Sequence, residues 1–237
     1  MIFIVFIYFS VLNGCKKDSL THPVKVTFSI NLEQIKGLPA YITSSQSVVS
    51  IGSISFLGLR QQGGDVHFDT KPGTTQGTYI LSSGKSAEYV TYFDIPQGVY
   101  DYMNWSIILN EIDEETYDNT LVDSEDYGLL ISGIYTKLDG AKIPFYFMID
   151  PLHKFSFEAS DIKGSTPMSI IDGQMYDILI ELGPSEAILN INRDYFEKAT
   201  IESDDDNEYI IISPESNINF YQYFLFQLEK TRRATVN

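Results

Sequence analysis

Apolar and polar residues alternate cleanly from position 24 to 32. Val24, Val26, Phe28, Ile30 and Leu32 share one side; Lys25, Thr27, Ser29 and Asn31 share the other. A period of two is the mark of a half-buried strand. A β-branched stretch punctuated by Ser and Gly at 48–59 predicts a second strand. Gln61-Gln62-Gly63-Gly64-Asp65 then predicts a turn with glycine at positive φ, followed by a short return strand from Val66 and Phe68. Further strands are predicted at 78–81, 87–95, 99–109, 129–136, 143–149, 155–159, 175–182 and 209–212. Pro96-Gln97-Gly98, Leu138-Asp139-Gly140 and Asp150-Pro151 separate several of them. On 99–109 the inward set reads Val99, Met103, Trp105, Ile107 and Leu109, with Asp101 toward a rim.

The period changes near the carboxyl end. Asn192 predicts the cap of a short helix over 193–199. Ile218, Tyr221, Phe224, Leu225 and Leu228 recur at helical spacing, with Asn217 placed to cap. Lys230, Arg232 and Arg233 stand where a helix C-terminus favours cations. About ten strands with frequent turn signals predict an all-β fold: an antiparallel, immunoglobulin-like β-sandwich with a short C-terminal helix. No internal repeat divides residues 24–237, which read as a single domain.

Composition strengthens the β reading, since 16 Tyr and 15 Phe suit pleated, half-buried surfaces. The net charge of −16 repels a phosphate backbone and argues against nucleic acid as a partner. The acidity is concentrated. Residues 111–126 hold eight acids and no base, and 202–208 read ESDDDNE; both read as exposed loops. Ca²⁺ takes about six to eight oxygen ligands, so Asp204, Asp205, Asp206 and Glu208 are candidate metal ligands. Neither loop has EF-hand spacing.

Motifs for catalysis are missing from the chain. There is no GxSxG and no HExxH, and His22, His67 and His153 each stand alone in sequence. His67 alternates with Val66 and Phe68, which turns it outward. Gly84-Lys85-Ser86 resembles the end of a phosphate-binding loop, but Tyr79 stands where that loop needs glycine. A non-enzymatic role is expected. Tyr89, Tyr92, Tyr100, Tyr102 and Trp105 lie on two neighbouring strands, where they are either cross-strand core or a stacking face. Tyr100, Tyr102 and Trp105 are the candidate ligand-binding residues.

The first twelve residues are almost all apolar, too short a run for a bilayer core of roughly 30 Å but the length of a signal-peptide h-region. The run ends in Leu12-Asn13-Gly14-Cys15, and Cys15 is the only cysteine. An intramolecular disulfide, a CxxC redox pair and a Cys-rich zinc site are thereby excluded. Leu12-Asn13-Gly14-Cys15 resembles the bacterial lipobox, with an apolar residue at −3 and a small one at −1. The resemblance implies a signal over 1–14, diacylglyceryl on the Cys15 thiol and an acylated amine. It further implies a tether over 15–23 and an outer-membrane location, on the periplasmic or cell-surface face. Cys15-Lys16-Lys17-Asp18 is similar to the surface-export signal of Bacteroidota lipoproteins, and Asp18-Ser19-Leu20 resembles the O-glycosylation motif of that phylum.

A further resemblance spans 24–182. The succession "VKVTFSI", "ISFLGLRQQGGDVHF", "YILSSG", "FDIPQGVYDYMNWSI" and "LLISGIY" looks like the methanobactin-associated periplasmic-protein-like β-sandwich family. It implies a sandwich and, through Trp105, copper; no histidine stands near Trp105 in sequence. The expectation is an outer-membrane lipoprotein that binds a glycan or a protein partner. The alternative is a metal-binding lipoprotein using its acidic loops for calcium or Trp105 for copper.

Overall fold

A computed structural model describes residues 21–32, 38–70, 77–81, 87–115, 117, 126–161, 163–204 and 207–237. Cys15, Asp205, Asp206 and Gly84-Lys85-Ser86 lie outside them. The first nine strands are β1 (Pro23–Leu32), β2 (Ile42–Arg60), β3 (Val66–Asp69), β4 (Gly77–Leu81), β5 (Glu88–Pro96), β6 (Gly98–Leu109), β7 (Leu129–Thr136), β8 (Lys142–Ile149) and β9 (Lys154–Asp161). After β10 (Met168–Ile170) and β11 (Tyr176–Leu182) come α1 (Pro184–Leu189) and α2 (Arg193–Glu197). The chain continues through β12 (Glu202–Asp204), β13 (Asn207–Ile212), α3 (Ile218–Lys230) and β14 (Arg233–Val236).

Fourteen strands among the described residues join one curled sheet, in the order β12-β13-β8-β7-β2-β6-β9-β14-β11-β1-β5, with β3 and β4 on β2 and β10 on β6. The all-β expectation holds, but the sheet is mixed. The pairs β1–β11, β8–β13 and β9–β14 are parallel. Strand β9 is the joint of the curl. Lys154–Glu158 pair with β6, and Ala159, Ser160 and Asp161 pair with β14.

The curl brings β1 and β5 over β2 and β6. Trp105 of β6 sits at the centre, with ring centres at 5.4 Å to Phe28 of β1 and 5.1 Å to Phe93 of β5. Phe56 of β2 at 4.5 Å and Phe68 of β3 at 6.1 Å complete the cluster. The alternation of β1 is as expected: Val24, Val26, Phe28 and Ile30 are buried. The inward set of β6 also holds for Met103, Trp105, Ile107 and Leu109.

Helices cover the inner face where β7, β8 and β13 extend beyond β6. Phe147 of β8 packs on Phe224 and Tyr221 of α3, at 3.7 and 5.5 Å. Phe196 of α2 stacks on Tyr135 at 4.8 Å and meets Phe145 edge-on at 5.3 Å. Polar contacts then fix α2. Arg193 Nη2 donates to Thr136 O at 2.9 Å, Tyr135 donates its hydroxyl to Glu197, and Leu138 N–H donates to the same carboxylate at 3.1 Å. Burial, reinforced by that carboxylate, pushes the Tyr135 phenol up in pKa.

Gly133 makes room for Phe145. A Cβ there would lie 2.5 Å from the Phe145 ring and 2.7 Å from Thr43 O, and the carbonyl cannot rotate away. Gly133→Ala is expected to cost about 1–3 kcal/mol by overpacking, read as a lower denaturation midpoint. An unchanged midpoint would show that β7 and β8 can separate at no cost.

Three differences from the sequence expectations follow from how distant segments pack and pair. Residues 111–126 do not form a wholly exposed loop. Ile112 is buried and joins Val48, Leu130, Tyr146, Met148 and Tyr209 in a second apolar cluster, with Tyr117 and Tyr127 packed against it. Glu202–Asp204 pair with β13, so the second acidic segment begins as a hairpin strand. Arg233 is not a helix-terminal cation, because the helix stops at Lys230 and Arg233–Val236 pair with β11 and β9.

Candidate functional site

The proposed stacking residues separate. Trp105 and Tyr100 are 0% exposed, whereas Tyr102 is half-buried. A one-residue irregularity explains Tyr100. Leu59 faces Tyr102 but Arg60 faces Tyr100, so Asp101 is an extra residue and everything beyond it changes side. The Tyr100 ring therefore turns inward, 6.3 Å from Phe56, and its hydroxyl donates to Pro96 O at 2.6 Å. Burial pushes its pKa up to about 12. Trp105 and Tyr100 are core residues, and a ligand or copper ion has no path to them as a surface face. Tyr102 stays on the outer side of β6, beside Leu59, and Tyr89 and Tyr92 of β5 are exposed.

The calcium residues do not converge either. Asp204 pairs with Asn207, and Glu208 pairs with Ser203 one step along the hairpin. Neighbouring ladder positions project to opposite faces, so Asp204 and Glu208 point apart. Asp205 and Asp206 lie outside the described residues. Among the described residues, no group of three or more His, Cys, Asp or Glu side chains could hold a metal.

The structure instead assembles a cleft of about 620 Å³ between α2, the segment after it and the start of α3. Asn192, Asp194, Tyr195, Lys198, Thr200, Asn217, Asn219 and Phe220 contribute to its lining. The expected cap is present, since Asn192 Oδ1 accepts from Asp194 N–H at 3.0 Å. Lys198 pairs with Asp194 at 3.1 Å one turn apart, across an exposed surface. Tyr195 stacks on Tyr223, with ring centres 5.0 Å apart and planes 7° apart, and leans on Phe220 at 5.3 Å.

Asn217 closes the cleft in a way its sequence position did not suggest. It precedes α3, but its side chain caps nothing there. Its backbone is left-handed, at φ 54°. Asparagine tolerates that region better than most side chains. The side-chain amide behaves like a strand neighbour. It accepts from Thr200 N–H at 2.8 Å and donates to Thr200 O at 3.1 Å and Ile211 O at 2.7 Å. One residue thus pins the segment after α2 to the end of β13 and the start of α3.

His153 is set apart from this cleft, in the turn between β8 and β9. Its ring packs on Phe155 at 4.6 Å. Nε2 is buried without a hydrogen bond, 3.8 Å from Glu229 Oε1. Burial holds its pKa below the ordinary value; Glu229 and Asp150 oppose that shift, and Arg232 adds to it. The folded state therefore binds a proton less readily than the unfolded chain. The stability this group contributes is present above about pH 6.5, the unfolded value, and is lost as pH falls through the folded pKa. Thermal scans between pH 8 and pH 5 are expected to show a fall in midpoint that is smaller in His153→Gln. An identical slope in both proteins would remove His153 as a cause.

No family model, curated protein or solved structure matches the chain. No helix among the described residues is long and apolar enough to cross a membrane.

Proposed function

We propose that this chain is a lipid-anchored outer-membrane lipoprotein acting as a non-enzymatic binding module, with a glycan as its ligand. The carrying observation is the cleft between α2 and α3. Its volume falls within the range of small-molecule sites, roughly 300–1,000 Å³. Side-chain amides, a hydroxyl and a half-buried aromatic ring converge on it, a combination suited to sugar hydroxyls and the apolar face of a sugar ring. The Asp194–Lys198 pair balances its own charge, which favours a neutral ligand over a strongly charged one. The anchor rests on the resemblance of Leu12-Asn13-Gly14-Cys15 to the lipobox. In this reading, the two facing halves of the curled sheet serve as the layers of an immunoglobulin-like sandwich. A protein partner on the same surface is the second reading, favoured by exposed Ile218 at the cleft rim.

A glycan array probed with the 16–237 chain tests the assignment. A bound glycan is expected to lose roughly tenfold in affinity, ~1.4 kcal/mol, with Asn219→Ala, an exposed change that leaves the fold intact. Binding that is indifferent to Asn219→Ala and Tyr195→Ala would move the site elsewhere. Silence across the array would remove the glycan reading.

A further inference from the structure

We infer that the turn between β10 and β11 is a membrane-contacting tip, which touches the bilayer holding the Cys15 lipid through Met175 and Ile171. The inference rests on the lipid anchor proposed above and adds how the folded domain sits on the lipid.

Three turns meet where the chain runs back from β1 toward Cys15. Gln97 is their hub. Its N–H donates to His22 O at 2.9 Å, its carbonyl accepts from Arg60 Nη1 at 3.2 Å, and its side-chain oxygen accepts from Asp172 N–H at 3.3 Å. His22 Nδ1 lies 3.6 Å from Asp172 Oδ2. The backbone leaving His22 is therefore held against the β10–β11 turn. From Thr21 to Cys15 the chain can span at most about 21 Å, at roughly 3.5 Å per residue. A lipid on Cys15 cannot lie farther than that from this end of the domain.

The turn is built to present apolar groups. Met175 is 94% exposed and Ile171 is 49% exposed. Neither is a loose end. The Tyr176 hydroxyl accepts from Ile171 N–H at 3.0 Å and lies 2.8 Å from Gln174 Oε1 and 3.1 Å from Ser169 O. Gly173, at φ 80°, allows the reversal. A tight turn at Asp172-Gly173, closed by Gln174 N–H to Ile171 O at 3.3 Å and flanked by Ile171 and an unbranched methionine, suits shallow insertion among lipid head groups.

The same geometry sets the cleft and the tip at opposite ends of β2. The tip gathers at the Arg60 end of β2, and α2 docks on Tyr135 and Thr136, which pair at the Ile42 end. The 19 residues of β2 cover roughly 60 Å of strand contour at about 3.3 Å each.

Full-length protein, acylated in cells, tests this in vesicles of phosphatidylethanolamine and phosphatidylglycerol. The thioether consumes Cys15, so Met175→Cys carries the single free thiol for an environment-sensitive fluorophore. Leu138→Cys, 76% exposed in the turn between β7 and β8, is the control. Lipid-borne quenchers are expected to quench the label at 175 at least about twofold more than the label at 138, with a blue shift at 175 only. If the protein floats with vesicles but both labels respond alike, the tip is wrong and the anchor stands. If it does not float, the anchor and the tip fail together.

Discussion

Trp105→Ala is expected to be the most destabilising single change in the folded domain, costing about 3–5 kcal/mol. Trp105 is completely buried. Phe28, Phe56, Phe68 and Phe93 surround it, from four different strands. Two of those strands belong to one side of the curl and two to the other, so truncation removes the contact that holds the sides together. The cavity cannot refill cheaply, because each ring is anchored on its own strand. For a chain of this size the midpoint should fall by on the order of 10 °C. Trp105→Phe separates volume from polarity. Indole Nε1 is buried without a partner, a burden of about 1–3 kcal/mol that phenylalanine lacks. The phenylalanine variant should therefore retain most of the stability. Far-UV circular dichroism must report both, since the chain has one tryptophan. A loss below about 1 kcal/mol for the alanine variant would mean that the cluster does not join the two sides.

Much of this core was legible because alternation is a local property. The period of two in β1 and from Met103 to Leu109 in β6 identified buried residues without any knowledge of neighbours. Tyr100 was not legible by the same rule. Its side depends on an extra residue, Asp101, opposite the Leu59–Arg60 step, and only pairing with β2 creates that irregularity. Parallel pairing was hidden for a similar reason. Residues 26–32 and 176–182 each look like ordinary strands, and only closure of the chain makes them neighbours. Arg233 looked like a helix-terminal cation because four residues are too few to show a period, and β14 exists by pairing on both sides.

The cleft divides the same way. Asn192 announced its helix through capping chemistry, which is local. Asn217 carried the same signal, but its amide found Thr200 and Ile211 instead. Asparagine before an apolar helical period fits both outcomes, and position relative to β13 decides between them. The aromatic signal divided: Trp105 and Tyr100 point to the interior, whereas Tyr89 and Tyr92 are exposed. The two strands, β5 and β6, are not neighbours in the sheet but face each other across the curl, where Phe93 meets Trp105, and the sheet closes over Trp105 and Tyr100.

Cys15→Ala is expected to abolish attachment of labelled fatty acid altogether, the largest effect on location that any single residue can have here. The argument is one of number and chemistry. A thioether to lipid needs a thiol, and the chain has one. Each buried methylene contributes about 0.8 kcal/mol, so one chain holds weakly and several on one residue hold firmly. The 1–12 run is too short to replace them as a span of roughly 30 Å. It could nevertheless retain an unprocessed precursor at the membrane, so fractionation of Cys15→Ala needs a companion. The 16–237 chain, exported behind a cleavable signal without a lipobox, should be released in soluble form, while the parent stays in the membrane pellet until detergent is added. Fatty acid that still labels Cys15→Ala would overturn the anchor, and so would a 16–237 chain that stays with membranes. The second result would shift attention to the apolar tip at Ile171 and Met175 as a membrane-binding element in its own right.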